Sequence, residues 1–239
     1  MKNILLVLLA VVVFGGCSKD DEKNSSNSIL VKKIEIEDGT VNYNYNGNKL
    51  NEIIEESGDK LVVTYNGDLI VKTQNFQVDG LSSYKAEYFY ENNKLKSKYS
   101  TDGIGDSAHI IKTTYLHNID GTINYKTYIV DAKTKAETLL GSGVYTFLNG
   151  NIVKDENPEK IKTFEYDDNN YYFKNVLGID KLIGENSNQN NILKETITHK
   201  GSGTSNVRSY EYDYNPDGYP IVQRYFFDGK PYGTTKYSY

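Results

Sequence analysis

The chain has 239 residues and a net charge of −5, with 22 Tyr, 8 Phe, no Trp, 20 Gly, one Cys and three His. The single Cys excludes an internal disulfide framework, a thiolate zinc site and a Cys-ligated iron–sulfur cluster, and an acidic surface argues against nucleic acid as a partner. Abundant Tyr and Gly beside a hydrophobic content of only 38% favour strands and tight turns over helices.

Lys2 is followed by an uncharged apolar run from Ile4 to Phe14. As a helix this run would rise roughly 16 Å, about half of a bilayer core, so it is too short to span and fits the apolar part of a secretory signal. The sequence Phe14-Gly15-Gly16-Cys17 that closes it resembles the bacterial lipoprotein signal, in which the cysteine is acylated and becomes the new N-terminus. Residues 1–16 are thus the predicted signal peptide and Cys17 the predicted lipid anchor, each buried acyl methylene contributing about 0.8 kcal/mol. The next residues, Ser18-Lys19-Asp20-Asp21-Glu22, are similar to the export signal of Bacteroidota lipoproteins, which implies the outer face of the outer membrane. The stretch 17–28 reads as a flexible acidic, Ser-rich tether that reaches about 40 Å when stretched.

From Ile29 onward the chain alternates with a period of two and is punctuated by Asn-Gly or Asp-Gly at nine places, beginning at residues 38–39 and ending at 228–229. Such pairs accept the positive φ of tight hairpin turns and bracket a dozen or more strands. In Tyr84-Lys85-Ala86-Glu87-Tyr88-Phe89-Tyr90-Glu91 the even positions are mostly aromatic and the odd ones mostly charged, giving one dry and one wet face. Lys33–Glu37 and Tyr210–Tyr214 follow the same rule. A loose repeat runs through the body: aromatic, any residue, aromatic, short turn, aliphatic. It is seen in Tyr43-Asn44-Tyr45-Asn46-Gly47-Asn48-Lys49-Leu50 and again in Tyr212–Ile221. One hairpin cannot bury its own apolar face, but neighbours stacked in a meander can. The predicted fold is therefore all-β: residues 29–239 form a single domain, an antiparallel up-and-down meander curled or closed into a soluble barrel-like sheet.

These hairpin units resemble the Tyr-Asp repeats of Rhs-type proteins. The body as a whole resembles a family of secreted Bacteroidota proteins described as a domain of unknown function with a porin-like fold. The likeness is carried best by Phe173–Leu182, Asn190–Glu195 and the Asn215–Pro220 turn. Members often have Pro near Asn191, where this chain has Ile192. The resemblance implies the fold and carries no activity.

Residues 171–193 break the alternation. Val176, Leu177, Ile179, Leu182 and Ile183 predict a short helix or ordered apolar loop near 174–184, packed on an open face or end of the sheet, with Asn186–Asn191 as a polar surface loop. The apolar strand faces are rich in Tyr, Thr and Ala and lack Trp girdles. They are expected to turn inward, leaving the Lys/Glu faces to water rather than to lipid.

No chemistry announces itself. His109, His117 and His199 lack the spacing of a helical zinc pair, and there is no nucleophile elbow, P-loop or dinucleotide fingerprint. No metal or cofactor is implied, and the chain reads as a non-enzyme. Asp167-Asp168 reads as a solvated turn, while Glu55-Glu56 and Asp155-Glu156 read as turn borders. Tyr171-Tyr172-Phe173 and Tyr225-Phe226-Phe227 place consecutive aromatics on both faces, and they are the candidate aromatic binding platform. The expected function is a surface-anchored, non-catalytic binding or scaffold module for a glycan or an outer-membrane protein. The alternatives are an extracellular polysaccharide or peptide hydrolase using loop carboxylates, and an envelope structural protein.

Overall fold

The computed structural model describes residues 28–103, 109–184 and 187–239. The predicted signal peptide 1–16, Cys17, the predicted export residues Ser18, Lys19, Asp20, Asp21 and Glu22, and the predicted tether up to residue 27 lie outside the described residues, as does Asn186.

Sixteen strands follow one another in sequence: β1 (Lys33–Ile36), β2 (Gly39–Asn46), β3 (Lys49–Glu55), β4 (Lys60–Asn66), β5 (Leu69–Phe76), β6 (Ser82–Glu91), β7 (Lys94–Asp102) and β8 (His109–His117) form one half. The other half is β9 (Ile123–Val130), β10 (Glu137–Leu148), β11 (Asn151–Glu156), β12 (Lys160–Tyr166), β13 (Ile192–His199), β14 (Ser205–Tyr214), β15 (Pro220–Phe227) and β16 (Lys230–Ser238). Every strand pairs antiparallel with its sequence neighbours. β1 then pairs with β16, Ile34 opposite Tyr237, so the meander closes into a barrel. Closure leaves no sheet edge open to another chain.

The glycines of all nine Asn-Gly and Asp-Gly pairs have positive φ. The two-residue β6–β7 turn has no glycine: Asn92 (φ 51°) and Asn93 (φ 59°) make it, since Asn tolerates the left-handed region better than other side chains.

The repeat seen in the sequence has a physical cause. The register slips by one residue beside the β2–β3, β4–β5, β6–β7, β10–β11 and β14–β15 turns and beside the longer β12–β13 connection, at Asn44/Tyr45, Thr64/Tyr65, Phe89/Tyr90, Thr146/Phe147, Asp213/Tyr214 and Glu165/Tyr166. A bulge interrupts the ladder and leaves backbone groups in need of partners. A tyrosine of a neighbouring strand supplies one. Tyr90 Oη donates to the Ile70 carbonyl (2.8 Å), Tyr166 to Ile152 (2.6 Å), Tyr212 to Ile192 (3.1 Å) and Tyr239 to Pro220 (2.8 Å). His117 Nε2 takes the same place against the Leu95 carbonyl at 2.8 Å. The repeat's aliphatic residue fills the core and offers its carbonyl, and its aromatic residue answers from the next hairpin.

Alternation sorts the two faces. Val41, Tyr43, Tyr45, Ile53, Leu61, Val63 and Tyr65 point inward onto one core with Ile34, Leu50, Ile70 and Tyr237. The outer wall carries Lys33–Glu35 (2.5 Å), Lys85–Glu87 (2.9 Å), Lys154–Glu156 (2.5 Å), Lys194–Glu165 (3.0 Å) and Arg224–Asp213 (2.5 Å). Exposed pairs of this kind contribute little stability. They nevertheless stand where a membrane barrel presents its apolar band.

The connection between β12 and β13 folds over one end of the barrel as a plug. Phe173, Val176 and Ile179 enter the core, and Ile179–Lys181 forms a three-residue 3-10 turn. Gly178 makes the docking possible: its φ is 79°, and a Cβ there would lie 2.7 Å from the Asp68 carbonyl oxygen. Leu177 N–H donates to the Asn48 carbonyl (2.9 Å), and the Leu177 carbonyl accepts from Tyr65 (3.1 Å).

Two expectations are corrected here. The Asn-rich stretch before β13 is not a surface loop, because Ser187, Asn188 and Asn191 are buried. Their polar groups replace missing ladder partners: Asn151 Oδ1 accepts from the Gln189 and Asn190 amides (2.8 and 3.2 Å), and Asn188 Oδ1 from the Ile152 amide (3.3 Å). Nor is Asp167 a solvated turn residue. It accepts from the backbone and side-chain amides of Asn191 and from the Tyr214 hydroxyl.

Candidate functional site

The two ends of the barrel differ. The plug closes the end that carries the β2–β3, β4–β5, β6–β7, β10–β11 and β14–β15 turns. At the opposite end solvent reaches inward-facing side chains: Ile129 is 45% exposed and Phe227 38%. This open end is the mouth.

Part of the mouth is built by β12 to β16. Register sets Arg208 opposite Glu195 and Phe227, Tyr210 opposite Tyr225, and Tyr225 opposite Gly233. The β15–β16 bulge turns Tyr232 to the same side, so Tyr210, Tyr225 and Tyr232 form a row. Ring centroids are 6.0 Å apart for the first pair, nearly parallel at 25°, and 4.7 Å apart for the second. Gly233 leaves the space that the Tyr225 ring covers: a Cβ would stand 3.4 Å from its Cε1.

Beside this row lies a charged cluster. Glu195 is 3% exposed, with Oε2 accepting from Arg208 Nη1 at 3.0 Å and Oε1 facing Lys162 Nζ at 3.4 Å. Arg208 reaches water with nearly half of its side chain. Burial pulls the Arg208 guanidinium down, but the Glu195 carboxylate opposes this and the net direction is up. The cluster therefore presents a fixed cation next to three tyrosine rings. Flat apolar faces, hydroxyls and a guanidinium suit a sugar or a peptide.

The structure divides the six predicted platform residues. Tyr171, Tyr172 and Phe173 are corrected: they sit in the plug, ring to ring with one another and with Tyr43 and Tyr237, and burial pushes both tyrosine hydroxyls up. Consecutive aromatics there fill a barrel end, where every direction meets a wall. Tyr225 and Phe227 face the mouth, and Phe226 lies on the opposite face of β15. Tyr210, Tyr232 and Arg208 belong to the mouth but were missed, because only pairing brings three separate strands together. The alternation of Tyr210 with Tyr212 was the available signal.

Asp155 and Glu156 end β11 and border its turn to β12, as the sequence implies, and Asp155 accepts from the Tyr125 hydroxyl at 3.0 Å. Asp155 and Glu195 both face the lumen two strands apart, with Lys162 of β12 between them. A glycosidase needs one carboxyl free of cations so that it can hold a proton. Glu195 faces two cations, an arrangement suited to positioning Arg208. Among the described residues, no group of three or more His, Asp or Glu side chains could hold a metal ion.

No family model and no curated protein matches the chain. Solved structures do. A porin-like protein from Bacteroides vulgatus ATCC 8482 superposes with a TM-score of 0.61 at 15% identity, covering 88% of this chain and 98% of that one. A porin-like protein from Bacteroides uniformis ATCC 8492 gives a TM-score of 0.53 at 14% identity, covering 87% and 96%. What is shared is the fold. At these identities the likeness supports the closed porin-like barrel and leaves its use to be argued from the residues above.

Proposed function

We propose that this chain is a lipid-anchored, non-catalytic binding or scaffold module on the outer surface of the outer membrane, with its mouth as the docking site for a glycan or an outer-membrane protein. The observation that carries this reading is the outer wall. Ion pairs ring the barrel where lipid would have to sit, so attachment falls to the predicted acylated Cys17 rather than to the strands. The plug argues against conduction in the same way.

The anchor also orients the barrel. Asn48 Nδ2 donates to Ser28 Oγ (2.9 Å), Asn175 Nδ2 to the Ile29 carbonyl (3.0 Å) and Tyr45 Oη to the Val31 carbonyl (2.8 Å), so the chain enters at the plugged end. A tether from Cys17 to Ser28 reaches about 40 Å at most. The plug then faces the membrane, and the mouth points away from it.

The test is binding of the purified lipoprotein to an array of surface glycans and to solubilised outer-membrane proteins, in parallel with Tyr225→Ala and Arg208→Gln. Binding that these variants abolish supports the mouth. Binding that both leave intact, or no binding at all, overturns it.

A further inference from the structure

A second concavity lies on the outer wall, away from the mouth. Tyr99, Lys112 and Tyr128 stand directly opposite one another across β7, β8 and β9. Strands are about 4.8 Å apart, so the two tyrosines flank the lysine at a separation of about 10 Å. The groove they share measures about 620 Å³.

Lys112 is the floor. Its side chain is only 20% exposed although it is on the outside, its Nζ is 5.5 Å from the Tyr99 ring centroid, and it is held 2.8 Å from Glu137 Oε1. Phe89 of β6 packs edge-on against Tyr99 at 5.6 Å and extends the aromatic surface. Lys96 and Lys126 also line the groove, with Ser97, Thr114 and Asn124 supplying hydroxyl and amide groups.

The charge is out of keeping with the rest of the chain. Acidic residues outnumber basic ones 32 to 27 overall, yet three lysines and no carboxylate line this groove. Glu137 and Glu91 reach Lys112 and Lys96 from outside the lining and hold them in place, the second pair at 3.0 Å. Ring faces that sugars can stack on, polar groups that pair with hydroxyls, and a net cationic lining completed by Lys126 together specify one ligand chemistry.

We propose that this groove binds an anionic polysaccharide chain laid across β7–β9, with sugar rings on Tyr99 and Tyr128 and an acidic substituent beside them at the exposed Lys126. The site is independent of the mouth and of the lipid anchor.

Affinity electrophoresis of the detergent-solubilised protein tests it, in gels containing polygalacturonate, dextran sulfate or neutral dextran. Retardation by a polyanion but not by dextran is expected, and the polyanion that acts tells carboxylate from sulfate recognition. The double variant Tyr99→Ala/Tyr128→Ala should weaken binding about tenfold. Lys126→Glu, at an exposed position that the fold does not need, should weaken it as well, and Lys33→Glu on the outer wall of β1 should not. Three results overturn the proposal: no retardation by either polyanion, equal retardation by dextran, or polyanion binding that the tyrosine pair or Lys126→Glu leaves unchanged. The last would mean non-specific charge attraction.

Discussion

Tyr90→Phe isolates the device that underlies the repeat. It removes one hydroxyl, keeps the ring, and takes away the 2.8 Å hydrogen bond to the carbonyl of Ile70, a residue only 1% exposed. Leaving a buried acceptor without its donor costs about 1–3 kcal/mol. Tyr90 itself is half-buried, which places the expected loss at about 1–2 kcal/mol. In a domain of this size each kcal/mol lowers Tm by about 2–4 °C, so Tyr90→Phe should melt about 2–8 °C early in a circular-dichroism scan. Tyr212→Phe acts on the Ile192 carbonyl in a distant hairpin and should lower Tm comparably. With no shared partner, the two losses should add to within about 0.5 kcal/mol in the double variant. Tyr128→Phe on the outer wall is the control and should change stability by less than about 0.5 kcal/mol. If Tyr90→Phe and Tyr212→Phe melt no earlier than Tyr128→Phe, the hydroxyl ladder is not what the repeat preserves.

Alkaline pH should unfold the barrel through the same side chains. Burial raises Tyr43, Tyr45, Tyr90, Tyr115 and Tyr212 above their ordinary value near 10 and pushes Tyr125 to about 12. A folded state that holds protons more tightly than the unfolded chain keeps its full stability below pH ~10 and loses it as pH rises from there. Tyrosinate absorbance should therefore lag a free-tyrosine titration and then rise together with the loss of strand signal. Gly178→Ala forces a Cβ onto the Asp68 carbonyl at positive φ; a loss of about 1–3 kcal/mol and faster proteolysis within the plug are expected. Glu195→Ala removes the carboxylate that Lys162 and Arg208 both face. Since Arg208 reaches water, its cost should be about 2–3 kcal/mol, below the ~3–5 kcal/mol of a fully buried pair, as read from urea unfolding. Cys17→Ser should abolish labelling by a palmitate analogue and move the protein from the membrane fraction to the soluble fraction.

Much of this architecture is local and therefore legible in the chain. Asn-Gly and Asp-Gly pairs mark turns because their backbone preferences act within two residues, and the alternation of Tyr84–Glu91 sorts inside from outside because pleating alone demands it. The polar stretch 187–191 misled for the opposite reason. Asparagine looks the same whether it pairs with water or with the amide groups of a strand end, and only the fold shows that Asn188 and Asn191 meet the second. Asp167 misled in the same way. The tyrosine triplet at Tyr171 shows a further limit: consecutive aromatics signal that both faces are covered, without saying by what.

By itself the sequence determined the strand content, the meander order and the inward-facing tyrosines, all of them properties set by neighbours a few positions apart. Closure between β1 and β16, the plug at one end, the meeting of Arg208 with Tyr210, Tyr225 and Tyr232, and the lysine-lined groove across β7–β9 were decided only by the tertiary structure. Each depends on how far successive register shifts carry the sheet around, and that is a sum over sixteen strands that no single segment encodes.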